Sequence, residues 1–572
     1  MASRTHDPAA QPAWTPPSVR KPPLSSRMMR AVWRGLPEKR FDVGWEPGVE
    51  VPAADGSALV TDHYFPRADT GGDVPTLLVR SPYGRGLPWS PQYGILFAEQ
   101  GFHVVLQSCR GTGGSGGAFD LWRNEADDGQ ATVAWLREQP WFNGTLGTIG
   151  PSYLGYVQWA LALDPPPELK AMVVQVGLHD PYALFYADGA LRLENALLVG
   201  LGMTYQHRGV LPVVRATLRL QRRMRDIVMA RPLRGAYASA LGEVPWLDDV
   251  MAHPDAGDPY WDGASPARAA EGLSVPTSLV SGWHDALADQ TFEQYARLRA
   301  AGCDTALLVG PWTHTSALQQ GWPEVFAESL AWLRAHLCGD SSGLRPTRVR
   351  VHVGGEGGWR DLDGWPSRSS SPVATSWVPV ADGRLEQRAL AAPAGGAGAA
   401  ALASLRYDPA DPTPSIGGQL LSRTAGARDN GALEGREDVL TFTGPPLAEA
   451  VEVLGSVSAR LSVSTDTGYA DVFSRLCDVD ARGRSVNVCD GLASVETVED
   501  EPSQVTVPMS STAYRFPAGH RIRWQISGGA HPRYARNPGT GKSGAEAVDF
   551  SAIRVTLHDG SVLELPDGSR VG

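Results

Sequence analysis

Between Val51 and about Leu163, short apolar stretches of β type alternate with longer amphipathic ones, and this alternation limits the folds open to the chain. The stretches include "PTLLVRSPY", "FHVVLQ" and "GTLGTIG", with the helix-like "DDGQATVAWLREQ" preceding the third. "AMVVQVG" continues the series, and "PTSLVSGW" and "TALLVGPW" resume it after a gap. A strand that is apolar along its whole length must be covered on both faces. Strands of that kind separated by helices predict a mostly parallel sheet. From Tyr182 to about Pro266 the periodicity turns helical and arginine-rich, as in "VVRATLRLQRRMRDIVMA". This predicts a helical cap inserted between two sheet strands, where it could roof a site. The arginines read as a solvated helix face.

After roughly Leu344, short alternating strands follow one another, among them "VRVHVGG", "ARLSVSTD", "ADVFSRLCDVD", "HRIRWQIS" and "AIRVTLHDG". Such a run predicts a β-sandwich or jelly roll. At 572 residues the chain is too long for one core. The expected layout is a partly disordered leader over 1–45, an α/β domain over 46–181 and 267–344, a helical cap over 182–266, and an all-β jelly roll over 345–572. "LAAPAGGAGAAALASL", at 390 to 405, reads as a flexible loop. The net charge of −11 argues against a broad nucleic-acid or anionic-membrane surface. No apolar run approaches the roughly 20 residues of a membrane helix. The first 30 residues lack the apolar core of a signal peptide. Five cysteines without C-x-x-C predict buried free thiols and a cytoplasmic location.

The glycine-rich segment "CRGTGGSGGAFD" poses a question, because Gly111, Gly113 and Gly116 fall at G-x-G-x-x-G spacing after a strand. A dinucleotide fingerprint needs those glycines to open a helix whose N-terminus meets the pyrophosphate. Here they run into the polar "GAFDLWRNEADDG", and the next convincing helix begins near Asp128. The context argues against a cofactor.

"GTIGPSYLGYVQWALAL" places Ser152 at a strand-to-helix junction. A serine at so sharp a turn presents its hydroxyl above the sheet, and small neighbours such as Gly150 permit the strained backbone. The second glycine of the usual G-x-S-x-G falls one residue late, at Gly155. Taken alone, the stretch reads equally well as a helix N-cap. Asp285 in "VSGWHDALADQ" and His314 in "LLVGPWTHTSAL" shift that balance, because each follows an apolar strand. In a parallel sheet the carboxyl ends of the strands share one face. Ser, Asp and His in that chain order are the arrangement of α/β-hydrolases. His314 would be the general base, and Asp285 would fix its tautomer. Asp289 is the fallback acid; His284 and His179 are weaker candidates for the base. Two oxyanion donors are expected, the backbone N–H of Tyr153 and the phenol of Tyr83 in "VRSPYGRG".

With these residues assembled, the chain resembles the cocaine esterase and X-prolyl dipeptidyl-peptidase group of serine hydrolases. "SPYGR", "CRGTGGSGG", "NEADDG", "QPWFNGTLGTIGPSYLG", "SGWHD" and "GPWTH" follow its hydrolase-domain motifs in order. "REDVLTFTGPPL", "DVFSRLCDVDARGRS" and "AGHRIRWQISGGAHPRYARNPGTG" are similar to its C-terminal motifs. The resemblance implies an α/β-hydrolase domain, a helical cap and a jelly roll over the cleft. It also implies Ser152, Asp285 and His314 as triad, and Tyr83 beside the Tyr153 amide. It makes the glycine loop structural, with Arg110 tying loops together.

Three departures stand out. Ser108 replaces the family's usual aspartate, so Arg110 needs another partner. Leu287 and Ala288 stand where the branch acting on α-amino-acid esters has carboxylates, which favours an uncharged acyl group near Leu287. His531 stands where phenylalanine is usual. "DVDARGRSVNVC" begins like a calcium loop, but Arg482 and Cys489 occupy its fifth and twelfth positions, so it reads as a hairpin turn. No metal or cofactor is expected. The expected activity is hydrolysis of carboxylic esters, less readily amides, through an acyl-enzyme. Alternatives are an acyltransferase with the same triad, an X-Pro dipeptidyl-peptidase, or a non-catalytic carbohydrate-binding protein. The expected partner is a small-molecule acyl ester or amide, not nucleic acid or membrane. A homo-oligomer is compatible with this reading.

Overall fold

The computed structural model describes residues 20–67, 74–368, 373–388 and 400–567. Its largest feature is a ten-stranded sheet: β1 (Val43–Pro52), β2 (Ala58–Pro66), β3 (Thr76–Ser81), β4 (His103–Ser108), β5 (Leu146–Pro151), β6 (Leu169–Gln175), β7 (Thr277–His284), β8 (Thr305–Thr313), β9 (Val349–His352) and β10 (Trp359–Leu362). The strand order is 1-2-4-3-5-6-7-8-9-10. Strands from β4 through β9 are parallel, and antiparallel pairs close both edges. Every residue of β3, β4 and β5 is buried, as their apolar sequences require. Successive side chains point to opposite faces. Thus Leu78, Val105 and Leu307 join one core, and their neighbours Leu77, Val104 and Leu308 join the other. Each such burial stabilises by about 1.5–3 kcal/mol.

The α/β-hydrolase-like sheet is followed by a β-rich C-terminal region with two facing sheets. A four-stranded sheet runs Val439–Thr443, Arg521–Ser527, Tyr469–Val479, Ser485–Glu496. It packs through Trp524 and Val472 on Val457 and Phe516 of an eight-stranded sheet. Two expectations need correction. "VRVHV" was expected to open the β-domain, but Val349–His352 pairs in parallel with β8 in the first sheet. Its alternating pattern suits the edge of either sheet, so only tertiary pairing decides. Ala401–Leu405, expected within a flexible loop, belongs to a strand, Ala401–Tyr407, paired with Ile553–His558. The part of that loop at 390–399, like 1–19 of the leader, lies outside the described residues. The remaining leader holds a short helix, α1 (Leu24–Met29). It is anchored by Arg30, whose guanidinium donates to Glu99 at 2.9 Å and to the Pro37 carbonyl at 2.8 Å.

The cap contains α2 (Leu193–Tyr205) and α3 (Val210–Val228). Ala216, Leu220, Ile227 and Val228 form the buried face of α3, whereas Arg215, Arg219, Arg222, Arg223 and Arg225 are exposed, as expected for a solvated face. The C-terminal region holds the cap by backbone bonds. Leu233 and Arg234 donate to the Ala545 carbonyl, and Ala535 donates to that of Leu191. Cys109, Cys303, Cys477 and Cys489 are buried, while Cys338 is exposed, so burial of the thiols is incomplete. The calcium-like segment is a hairpin turn, in which Asp480 accepts from the amides of Arg482 and Arg484. Among the described residues, no helix is long and apolar enough to cross a membrane.

Candidate active site

Four segments that leave carboxyl ends of parallel strands carry the candidate residues. Tyr83 follows β3, Ser152 follows β5, Asp285 follows β7 and His314 follows β8. Ser152 has φ +56° and ψ −122°, a region that costs a non-glycine residue about 1–3 kcal/mol. It occupies the N-cap position of the helix Tyr153–Leu161, yet its hydroxyl makes no capping bond. Capping therefore does not explain the serine. Its strained backbone is held instead by its N–H, which donates to the carbonyls of Gln175 (3.0 Å) and Val176 (3.2 Å).

The late second glycine has a packing reason. A Cβ at Gly155 would stand 2.9 Å from Gly177 Cα and 3.0 Å from Val174 Cγ1, where the helix crosses the end of β6. Leu154 instead enters the core beneath the sheet and is fully buried. Position 154 is thus an apolar anchor, and the close approach has moved to 155.

His314 Nδ1 lies 2.7 Å from Asp285 Oδ1. Asp285 is completely buried, and its oxygens also accept from Ser281 Oγ (3.0 Å) and the Leu287 amide (3.1 Å). This shell leaves the carboxylate one orientation, toward the imidazole. The Ser152 hydroxyl lies 3.5 Å from Tyr83 Oη and makes no hydrogen bond to the His314 ring. Burial pushes the Tyr83 phenol up to about 12, although its contacts with the Ser152 hydroxyl and the Tyr153 amide oppose the rise. At neutral pH it is a neutral donor. Its ring is stacked on Trp89, with centroids 5.4 Å apart.

The alternatives are placed elsewhere. Asp289 accepts from Ser510 Oγ at 3.1 Å. His179 Nδ1 is 2.9 Å from Gln294 Nε2, and burial lowers its pKa to about 3. Burial also lowers His284 to about 4. Leu287 is buried among residues of the cap and of the Tyr153 helix.

The glycine loop Cys109–Asp120 carries a charge network. Arg110 is paired with Asp128 and Asp55. Ser108, where an acid was expected, accepts from Arg85 at 2.6 Å, and Arg85 also pairs with Asp62 at 3.1 Å. Asp128 and Glu125 flank the buried Arg80, and Glu125 accepts from Tyr153 Oη at 2.9 Å. Sequence reasoning missed the roles of Arg85 and Glu125. Both lie inside quoted motifs, "SPYGR" and "NEADDG", but their partners are distant in sequence.

Residues 55–316 match the family model described as X-Pro dipeptidyl-peptidase (S15 family), and 343–562 match the X-Pro dipeptidyl-peptidase C-terminal non-catalytic domain. The cocaine esterase of Rhodococcus sp. (strain MB1 Bresler) is 33% identical over 534 residues, covering 86% of this chain and 92% of that protein. The chain belongs to the cocaine esterase and X-Pro dipeptidyl-peptidase (S15) family. A putative serine esterase of Mycobacterium bovis is 26% identical over 89% of this chain and 95% of its own length. Solved structures share the fold of this family member. A selenomethionine-labelled α-amino acid ester hydrolase superposes with a TM-score of 0.76 at 21% identity, covering 93% of this chain and 98% of that one. An aminopeptidase from a marine sediment Thaumarchaeota archaeon gives 0.76 at 22% identity over the same shares.

Proposed function

We propose that this family member is a serine hydrolase that cleaves carboxylic esters through an acyl-enzyme on Ser152. The observation that carries this reading is the strained, non-capping Ser152 at the strand-to-helix turn, on the same edge of the sheet as the pair that half-buried His314 makes with buried Asp285. His314 takes the Ser152 proton and returns it to the leaving group, while Asp285 holds the imidazole tautomer and stabilises the imidazolium. Formation of the acyl-enzyme requires the serine hydroxyl to leave Tyr83 for His314. The phenol and the Tyr153 N–H then donate to the oxyanion.

An ester is favoured over an amino-acyl or peptide substrate because Leu287 and Ala288 offer no counter-charge for an ammonium. The family match supports the peptidase as second reading. It predicts release of dipeptides from X-Pro anilides. Five cysteines and no disulfide among the described residues support a cytoplasmic setting. The test is a fluorophosphonate probe with intact-mass detection, then short p-nitrophenyl esters. A single adduct on wild type and none on Ser152→Ala is the expected result. A folded wild type without an adduct would overturn the assignment.

A further inference from the structure

A cavity of about 1330 Å³ opens beside Tyr83, larger than the ~300–1,000 Å³ of ordinary small-molecule sites. It reaches Tyr83, whose Oη is 3.5 Å from Ser152 Oγ, and Thr315, next to His314. Three segments form much of its wall, the N-terminal residues 23–33, the loop 83–92 after β3, and residues 206–214 at the start of α3, with Thr315–Gln320 on a further side. Met29, Trp45, Trp89 and Val213 are among the apolar lining.

The charged groups of this cavity are spoken for or unsuited to an ammonium. Asp62, the one carboxylate among the described lining residues, is paired with Arg85 at 3.1 Å. Arg208 lies over the Tyr205 ring, 5.4 Å from its centroid. Burial and the neighbouring Arg208 hold His207 below its usual basicity. Of twelve large hydrophobic side chains exposed among the described residues, eight lie on the same three segments or their continuation along α3. They are Leu24, Met28, Val32 and Leu87, with Val210, Leu211, Val214 and Leu218. Scattered exposed hydrophobics are ordinary, but their concentration around one opening marks a binding surface.

We infer that this cavity receives the long apolar tail of an uncharged ester, with the N-terminal helix as the wall that sets tail preference. This rests on Ser152 as nucleophile, since the tail must run from the scissile carbonyl past Tyr83. Each methylene buried is worth up to roughly fourfold in binding, so partial burial of a ten-carbon chain suffices for a tenfold preference.

The test compares p-nitrophenyl acetate with the decanoate. In wild type kcat/KM rises at least tenfold from acetate to decanoate. The decanoate-to-acetate ratio falls at least tenfold in Met29→Glu and in Val213→Glu. Val498→Glu, an exposed position on the C-terminal region, leaves the ratio unchanged. A flat profile in wild type, or a ratio unmoved in both lining variants, overturns the proposal. A second readout does not depend on hydrolysis. Decan-1-ol excludes water from the lining tryptophans and shifts their emission to shorter wavelength in wild type and Ser152→Ala alike, and this shift is lost in Met29→Glu. A shift without any ester turnover would break the hydrolase reading and support the cavity assignment. Absence of the shift would sink the cavity assignment whatever the turnover.

Discussion

Two glycine-rich segments follow neighbouring regions of one sheet, and glycine does different work in each. In Cys109–Asp120, Gly111, Gly113, Gly114 and Gly117 themselves take the left-handed backbone, with φ between +54° and +95°. A Cβ at Gly111 would collide with the Phe119 amide. In Gly147–Gly155 the serine takes the left-handed backbone at φ +56°, beside Gly150 at +158°, and Gly155 makes room for the Gly177 backbone. Where glycine bears the unusual backbone, it makes a tight structural loop. At Ser152 a side-chain-bearing residue bears it, and the strain is consistent with a hydroxyl held for chemistry.

The sharpest way to break this contrast is at the serine. Ser152→Ala lowers kcat for a short ester by roughly 10⁴–10⁶, with the fold unchanged by circular dichroism. Ser152→Gly loses hydrolysis equally, yet unfolds later in urea, because glycine accepts φ +56° without the penalty of about 1–3 kcal/mol. An active Ser152→Gly enzyme would end the contrast. Next in size, Tyr83→Phe keeps the ring on Trp89 and removes the donor. The expected loss in kcat is on the order of 10²–10³, with KM little changed.

The glycine loop then serves as the counter-case. Gly111→Ala destabilises by about 1–3 kcal/mol through strain and collision, read as a lower urea midpoint, while kcat of the folded fraction stays within about threefold. A hundredfold fall in kcat at unchanged stability would make that loop catalytic. The smallest effect concerns pH. Burial lowers His531 to about 4, so the unfolded chain binds a proton there that the folded chain refuses between about pH 6.5 and 4. Stability from this site is complete above 6.5 and is lost as the pH falls toward 4. His531→Phe removes up to about 3 kcal/mol of that acid sensitivity. Identical urea midpoints at pH 4.5 for both proteins would contradict it.

The placement of the candidate residues past strand ends was legible because its signals are local. An apolar run followed at once by Ser152, Asp285 or His314 announces a strand and the residue past its end. The large sheet was legible for the same reason. Val349–His352 was not, since alternation tells a half-buried strand from a fully buried one but names no partner. The N-terminal helix escaped because two of its apolar positions, Leu24 and Met28, remain exposed and make no core pattern. Gly155 was legible as an irregularity in the motif. Its cause, the Gly177 backbone, is 22 residues away and needed coordinates.

The backbone bonds from Ala535 and Ala545 to the cap have a kinetic consequence. Swinging the cap open would exchange the backbone bonds at Ala545 and Ala535 for bonds to water, at about 0.5–1.5 kcal/mol net for each. These bonds bias the cap toward its closed position, and substrate enters by a standing doorway. Progress curves should start without a lag, and turnover should not jump when a long-chain ester passes from monomers to micelles.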